Sequence, residues 1–222
     1  MQPLLQLTAW IEATAFSDWV RGAPTVFAFP TILSCHTVGM GLAAVADALD
    51  DPAFLAASRR LWEDVVRSKL YLTGGVGSRH DGERVGARYE LPSETAYAET
   101  CAGIALAWWS HRLFLATGEG RYLDVLERAL LNNVLGGLSL EGSAFFYVNP
   151  LESDGVYRFN KGAAERRSWF ETSCCPGNLV RFLPGIPGLV YAAASGRIHV
   201  NLFVGGSARI EAGVPVTIRQ EL

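Results

Sequence analysis

Residues 96–118 read AYAETCAGIALAWWSHRLFLATG. From about Thr100 to Ala116, with Trp108, Trp109, Leu113 and Phe114 along it, the stretch reads as a long helix that Thr117-Gly118 stops. Its beginning carries more information than its end. Glu99 and Cys101 place a hard carboxylate and a soft thiol two residues apart. On an ideal helix, turning about 100° per residue, those side chains point about 200° apart. On extended backbone, with a period of two, they share a side. If the two act together, the helix starts after Glu99.

Working outward, helical patterns dominate the first two thirds of the chain. Asp51-Pro52 is a helix start, with proline in the first turn, and Phe54, Leu55, Leu61, Val65 and Leu70 recur at near-helical spacing up to Leu72. The glycine-rich loop Thr73 to Ser78 follows, then an irregular polar stretch from Arg79 to Ser93. A further helix runs from about Arg121 to Leu135 and ends at Gly136-Gly137. The character changes after Ser139. Phe145 to Val148 is a short strand candidate, and 151–168 is loop. Pro176 opens a short helix to Leu183. Ile198 to Val204 alternates as a strand, and Ile210 with Val214 to Ile218 suggests another. About two strands of a β region are then present, and two strands rarely stand alone. The expectation is therefore a mainly α chain whose C-terminal β region is cut short.

Composition narrows the class. A chain of 222 residues allows one ordinary domain, or one with a small extra piece. With 50% hydrophobic and 18% charged residues, it has ample surface to bury, which excludes a disordered or collagen-like chain. The net charge of −3 comes without a basic block, so no nucleic-acid partner is expected. Four cysteines do not make a disulfide scaffold. Met1 to Trp10 lacks the basic region of a signal peptide, and a cytoplasmic location is expected. Residues 22–46 carry no Asp, Glu, Lys or Arg and are long enough to span a bilayer. They also hold Pro24, Pro30, Gly39, Gly41 and His36, which favours a buried helix pair over a membrane segment.

Four residues invite a metal reading: Glu99, Cys101, Cys174 and Cys175. Three sulfurs and one oxygen suit tetrahedral Zn²⁺. Packing and redox chemistry remain alternatives, because free cysteines are commonly buried and adjacent cysteines are not a standard CxxC pair. A helix opening at Pro176 would lower the thiol pKa of the preceding cysteines and make a reactive thiolate. Glu83 lies in the glycine-rich polar loop, where a solvated glutamate is the commoner outcome. His36 is more often a core histidine than a ligand. Trp169-Phe170 suits a sugar-stacking pair and ordinary core equally. The Gly74–Gly77 loop lacks the Lys-Ser/Thr of a phosphate loop, which excludes nucleotide binding there.

Several motifs in order resemble glycoside hydrolase family 127. They are Leu72 to Ser78, Gly82-Glu83, Tyr89 to Pro92, Ala96 to Ala102, Phe145 to Leu151, Trp169-Phe170, and Cys174-Cys175-Pro176 with Asn178. The likeness covers roughly residues 42–222. It implies a retaining β-L-arabinofuranosidase whose catalytic domain is an (α/α)6 toroid followed by β-sandwich domains. It implies Cys174 as nucleophile and Glu83 as general acid/base. It implies Glu99, Cys101, Cys174 and Cys175 as zinc ligands, and His36 and Tyr147 at the sugar. The partner implied is a carbohydrate of L-arabinofuranoside type, with a homo-oligomer left open.

A ring of about twelve helices, at about 11–12 residues each plus loops, exceeds 200 residues. Five or six helices are readable here. The expectation is therefore an atypical apolar segment at 1–41, part of the toroid at 42–190, and a truncated strand region at 191–222. An inactive zinc-binding fragment is the alternative, with membrane attachment through residues 22–46 left open.

Overall fold

A computed structural model describes residues 51–222, Ser195 apart. The candidate His36, the apolar run 22–46 and the segment 1–41 lie outside the described residues. The chain divides into two compact units, the first ending at Pro176 and the second covering Gly177–Leu222. The described part is mainly helical with two small antiparallel sheets.

In the first unit, helix α1 spans Pro52–Ser68. Asp51 caps it, its carboxylate accepting from the Ala53 N–H at 2.9 Å, and Pro52 opens the first turn where its missing N–H costs nothing. The helix ends four residues before the expected Leu72. The backbone breaks at Lys69, Leu70 then pairs with Val76, and the Tyr71 N–H bonds to the Gly75 carbonyl. The returning glycine loop thus takes the place of the next helical turn.

Helix α2 spans Thr100–Thr117 and ends as read, on Gly118 in the left-handed region at φ 72° with its N–H on the Phe114 carbonyl. It is buried on nearly every face, the pattern of a core helix. Two reciprocal bonds clasp it to α1. The Trp62 indole donates to Ser110 at 2.9 Å, and the Trp109 indole donates to Ser58 at 2.8 Å. Each places a bulky apolar ring in the core without stranding its N–H. Helix α3, Arg121–Arg128, continues as a π-helical segment, Ala129–Leu135, and both pack on α2. Tyr122, Leu126 and Leu113 are fully buried there.

The expected strand at Phe145–Val148 resolves into isolated bridges. Phe145 pairs with Leu138 and Arg167, whereas Val148 pairs with Glu99. The partners change within four residues, so no ladder propagates. Instead the side-chain oxygen of Asn160 accepts from the N–H groups of both Tyr147 and Val148.

Helix α4, Cys174–Phe182, begins two residues before Pro176 and contains the boundary between the units. The second unit continues with α5, Pro187–Val190, and two hairpins. Strands β1 (Tyr191–Ala194) and β2 (Arg197–Val200) pair in register Tyr191↔Val200. Strands β3 (Gly206–Glu211) and β4 (Pro215–Gln220) pair in register Gly206↔Gln220. Four strands therefore replace the expected two. Tyr191–Ala194 escaped because three alanines carry little strand preference. The strand expected to reach Val204 stops at Val200, after which the N–H groups of Asn201 and Leu202 turn back to the Val190 carbonyl. No helix among the described residues is long and apolar enough to cross a membrane.

Candidate functional site

The backbone just before α2 is held out of the helix by its neighbours. The Ala98 N–H bonds to the Gly77 carbonyl at 2.8 Å, Glu99 pairs with Val148, and the Thr100 N–H bonds to the Tyr147 carbonyl at 3.0 Å. Glu99 keeps ψ at 138°, and helical bonding begins only with its carbonyl. The start after Glu99 that a shared role demands is therefore realised, and Glu99 and Cys101 turn to the same buried side, at 3% and 2% exposure. Cys174 and Cys175 occupy the first two positions of α4. Cys175 is fully buried and Cys174 is exposed.

The four side chains converge. Cys101 Sγ lies 3.0 Å from Cys174 Sγ and 3.1 Å from Cys175 Sγ. Cys175 Sγ lies 3.3 Å and Cys174 Sγ 4.0 Å from Glu99 Oε1. All four donor atoms fall within 4.8 Å of one another. The sulfurs are too far apart for a disulfide, which needs about 2.0 Å. At 3.0 and 3.1 Å they stand closer together than the roughly 3.8 Å edge of thiolates bound at about 2.3 Å around one tetrahedral ion. Three sulfurs and one carboxylate form a closed donor set that fits a metal, and its softness excludes the oxygen-seeking Mg²⁺ and Ca²⁺.

Electrostatics point the same way. Burial pushes Glu99 up to about 7, against the hydrogen bond from the Cys175 thiol. Burial also drives the Cys175 thiol far above its ordinary range. Cys174 is drawn down to about 6, first by the bond from the Cys175 thiol and then by bonds from Cys101 and the Tyr147 hydroxyl. Glu99 and Cys175 thus hold their protons more tightly than usual, and Cys174 at the exposed edge gives its proton up more readily. A bound dication would take the place of such protons.

Glu83 ends a single 3-10 turn, Asp81–Glu83, in which Gly82 and Glu83 both have positive φ, at 63° and 50°. Its Oε1 accepts from the Tyr97 hydroxyl at 2.7 Å. Lys161 Nζ donates to the same hydroxyl at 3.0 Å and stands 3.7 Å from Oε1. The ammonium also lies 4.6 Å from the centre of the Tyr147 ring. The Glu83 charge is felt at both Glu99 and Cys174. Glu83, Tyr147 and the four cluster residues therefore stand near one another, within the first unit.

Tyr97 and Lys161 were missed in the sequence. Tyr97 sits inside a quoted motif without a chemical signal of its own, and Lys161 lies in a stretch read only as loop. The open question over Trp169-Phe170 divides. Phe170 is core, packed against Phe145 and Tyr147, whereas Trp169 is 60% exposed.

The model of the β-L-arabinofuranosidase GH127 catalytic domain matches residues 7–188. The match reaches further back than the motifs quoted above. A non-reducing end β-L-arabinofuranosidase of Bifidobacterium longum subsp. longum is 33% identical over 185 residues, which are 81% of this chain and 28% of the relative. The crystal structure of a GH127 β-L-arabinofuranosidase from Geobacillus stearothermophilus T6 superposes with a TM-score of 0.80 at 37% identity, over 86% of this chain and 31% of that one. A second solved GH127 β-arabinofuranosidase gives 0.82 at 34% identity, over 99% of this chain and 37% of that one. The chain therefore spans about a third of the length of these relatives.

Proposed function

This chain belongs to the GH127 β-L-arabinofuranosidase catalytic-domain family, and on that premise we propose that it carries the site of a retaining glycoside hydrolase acting on terminal β-L-arabinofuranosides. The observation that supports this most directly is the convergence of Glu99, Cys101, Cys174 and Cys175 with only Cys174 exposed. A nucleophile has to be reachable, and the other three donors have no need to be.

Cys174 Sγ attacks the anomeric carbon, forming a C–S bond as the glycosidic C–O bond breaks. Glu83 gives its proton to the departing oxygen. Glu83 then takes a proton from water, whose oxygen displaces the sulfur, and two inversions yield net retention. A Zn²⁺ ion bound by the four donors would supply charge that keeps the thiolates deprotonated at neutral pH. A bond from the Tyr147 hydroxyl favours the Cys174 thiolate. Tyr97 and Lys161 fix the Glu83 carboxyl by its Oε1 and leave its other oxygen for the substrate. The (α/α)6 ring, the β-sandwich and the contact of His36 with sugar belong to this reading as further proposals.

The test is zinc per chain on gel-filtered protein together with hydrolysis of p-nitrophenyl β-L-arabinofuranoside, on the parent and on Cys174→Ser and Glu83→Gln. About one zinc, and turnover lost in both variants, is the expected outcome. Turnover that survives both substitutions overturns the assignment. One zinc without turnover in the parent supports instead the second reading, a structural metal site in a chain that spans 28% of its curated relative.

A further inference from the structure

The carbonyl of Ala98, the residue immediately before Glu99, is unusual in its partners. Ala98 is fully buried and has φ of +34°, a region that a side-chain-bearing residue enters only when its surroundings force it. Its carbonyl accepts from two side-chain amides. Asn149 Nδ2 approaches at 3.0 Å and Asn133 Nδ2 at 3.4 Å. Asn149 Nδ2 also reaches Thr100 Oγ1 at 3.0 Å, and that hydroxyl donates to the Phe146 carbonyl at 2.7 Å. The two residues that flank Glu99 are therefore tied from outside the helix.

Both asparagines sit in slots that glycines leave open. A Cβ on Gly103 would lie 1.9 Å from Asn133 Oδ1, and one on Gly75 would lie 2.9 Å from Asn133 Nδ2. A Cβ on Gly137 would lie 2.9 Å from Asn149 Oδ1. Asn133 itself comes from the π-helical segment Ala129–Leu135 and is fully buried. Its Oδ1 has no hydrogen-bond partner among the described residues, so the side chain is retained there at a cost. π-Helical turns in other proteins often accompany functional sites.

We propose that Asn149 and Asn133 are positioning residues for the metal site. Their amides clamp the Ala98 carbonyl and hold the bend that lets Glu99 and Cys101 face one ion. The inference rests on the metal reading above. Without the clamp, residue 98 relaxes toward ordinary helical or extended backbone, and Glu99 rotates away from Cys101.

The test uses the full chain, with Co²⁺ as a spectroscopic probe of thiolate ligation. The variants are Asn149→Leu, Asn149→Asp, the milder Asn149→Ser, and Asn133→Asp. Ser110→Ala is the control, because it removes a buried bond to Trp62 away from the cluster. The expected result is at least tenfold weaker Co²⁺ binding and an altered thiolate-to-cobalt absorption in Asn149→Leu and Asn149→Asp. Asn149→Ser and Asn133→Asp should show smaller losses, and Ser110→Ala unchanged affinity despite a lower melting temperature. The aspartate variant is informative because its added negative charge would by itself favour a cation.

Parent-like affinity and spectrum in the folded Asn149 variants overturn the clamp. If the parent binds no Co²⁺ at all, the metal reading fails, and the clamp is judged on the metal-free protein by native alkylation of Cys101. An increase of tenfold or more in Asn149→Leu, absent from Ser110→Ala, supports the clamp, and an unchanged rate overturns it.

Discussion

Glu99 and Cys101 on one side of the site and Glu83 on the other lie within twenty residues of sequence, yet they are held by different means. The thiolate side is buried except for Cys174 and grows from the starts of two helices, so backbone bonding fixes its direction. The carboxylate side is half-exposed and stands on two successive left-handed residues, fixed by one tyrosine and one lysine side chain. Parts that must bind a metal gain from rigidity. A group that must give and take a proton needs water and substrate at its free oxygen. The first side should therefore fail as a unit when any member is lost, and the second should fail by degrees.

The largest effects test that contrast directly. Cys101→Ala touches no substrate in this reading, yet it should abolish metal retention and lower kcat by about 10⁴-fold, nearly as much as Cys174→Ser, as members of one catalytic unit do. Metal content and turnover measured on the same preparation check this. Full metal content with unimpaired turnover in Cys101→Ala would dissolve the unit. Glu83→Gln should lower kcat by about 10²- to 10⁴-fold with metal content unchanged. The loss should be smaller on substrates with good leaving groups, since the first proton transfer then matters less. Equal losses across a leaving-group series would remove the acid role.

A smaller effect sharpens the carboxylate side. Lys161→Met removes the ammonium that bridges Tyr97 and Glu83, and kcat should fall about tenfold, in line with the loss of one hydrogen bond to a charged group. Lys161→Arg should restore part of it, and metal content should stay at the parental level in both. If Lys161→Met loses metal as well, the two sides are not mechanically separate.

How far the sequence carried differs between the same two regions. The four donors were nominated by residue type and singled out by the family resemblance, and Glu99-Thr100-Cys101 added a condition on the backbone: helix separates the pair and extension unites it. The helix start after Glu99 follows from that condition. The helices around it were readable from their caps, Asp51-Pro52 and Gly118. What held the bend was not readable. Asn133 and Asn149 are distant in sequence, and only folding shows them meeting on one carbonyl. Lys161 is hidden for the same reason, since its loop has no periodicity and its aim depends on Asn160 binding the backbone of Tyr147 and Val148. The strand expected at Phe145–Val148 misled because apolar content was legible while the side-chain amide that replaces its neighbouring strand was not.

The smallest effect concerns protons at the thiolate side, and its sign separates the metal-free from the loaded state. In metal-free protein the Glu99 carboxyl is raised from an ordinary 4.5 to about 7. A raised acid binds more protons folded than unfolded, so its contribution is fully present below about pH 4.5 and is lost as pH rises toward 7. Cys174, drawn down to about 6 from 9, works in the opposite sense, and its contribution grows between pH 6 and 9. The window from pH 4.5 to 6 therefore isolates Glu99 within the cluster. Over it the metal-free protein should lose up to about 2 kcal/mol relative to Glu99→Gln, from about 1.36 kcal/mol per pH unit. His80 and His111, lowered by burial, titrate in both proteins and cancel in that difference. In metal-loaded protein the slope reverses, because protons compete with the ion for the same donors. Chemical unfolding at several pH values, with and without chelator, reads both slopes. Parallel slopes would mean that no ion is held by Glu99, and the contrast between the two sides of the site would lose its physical basis.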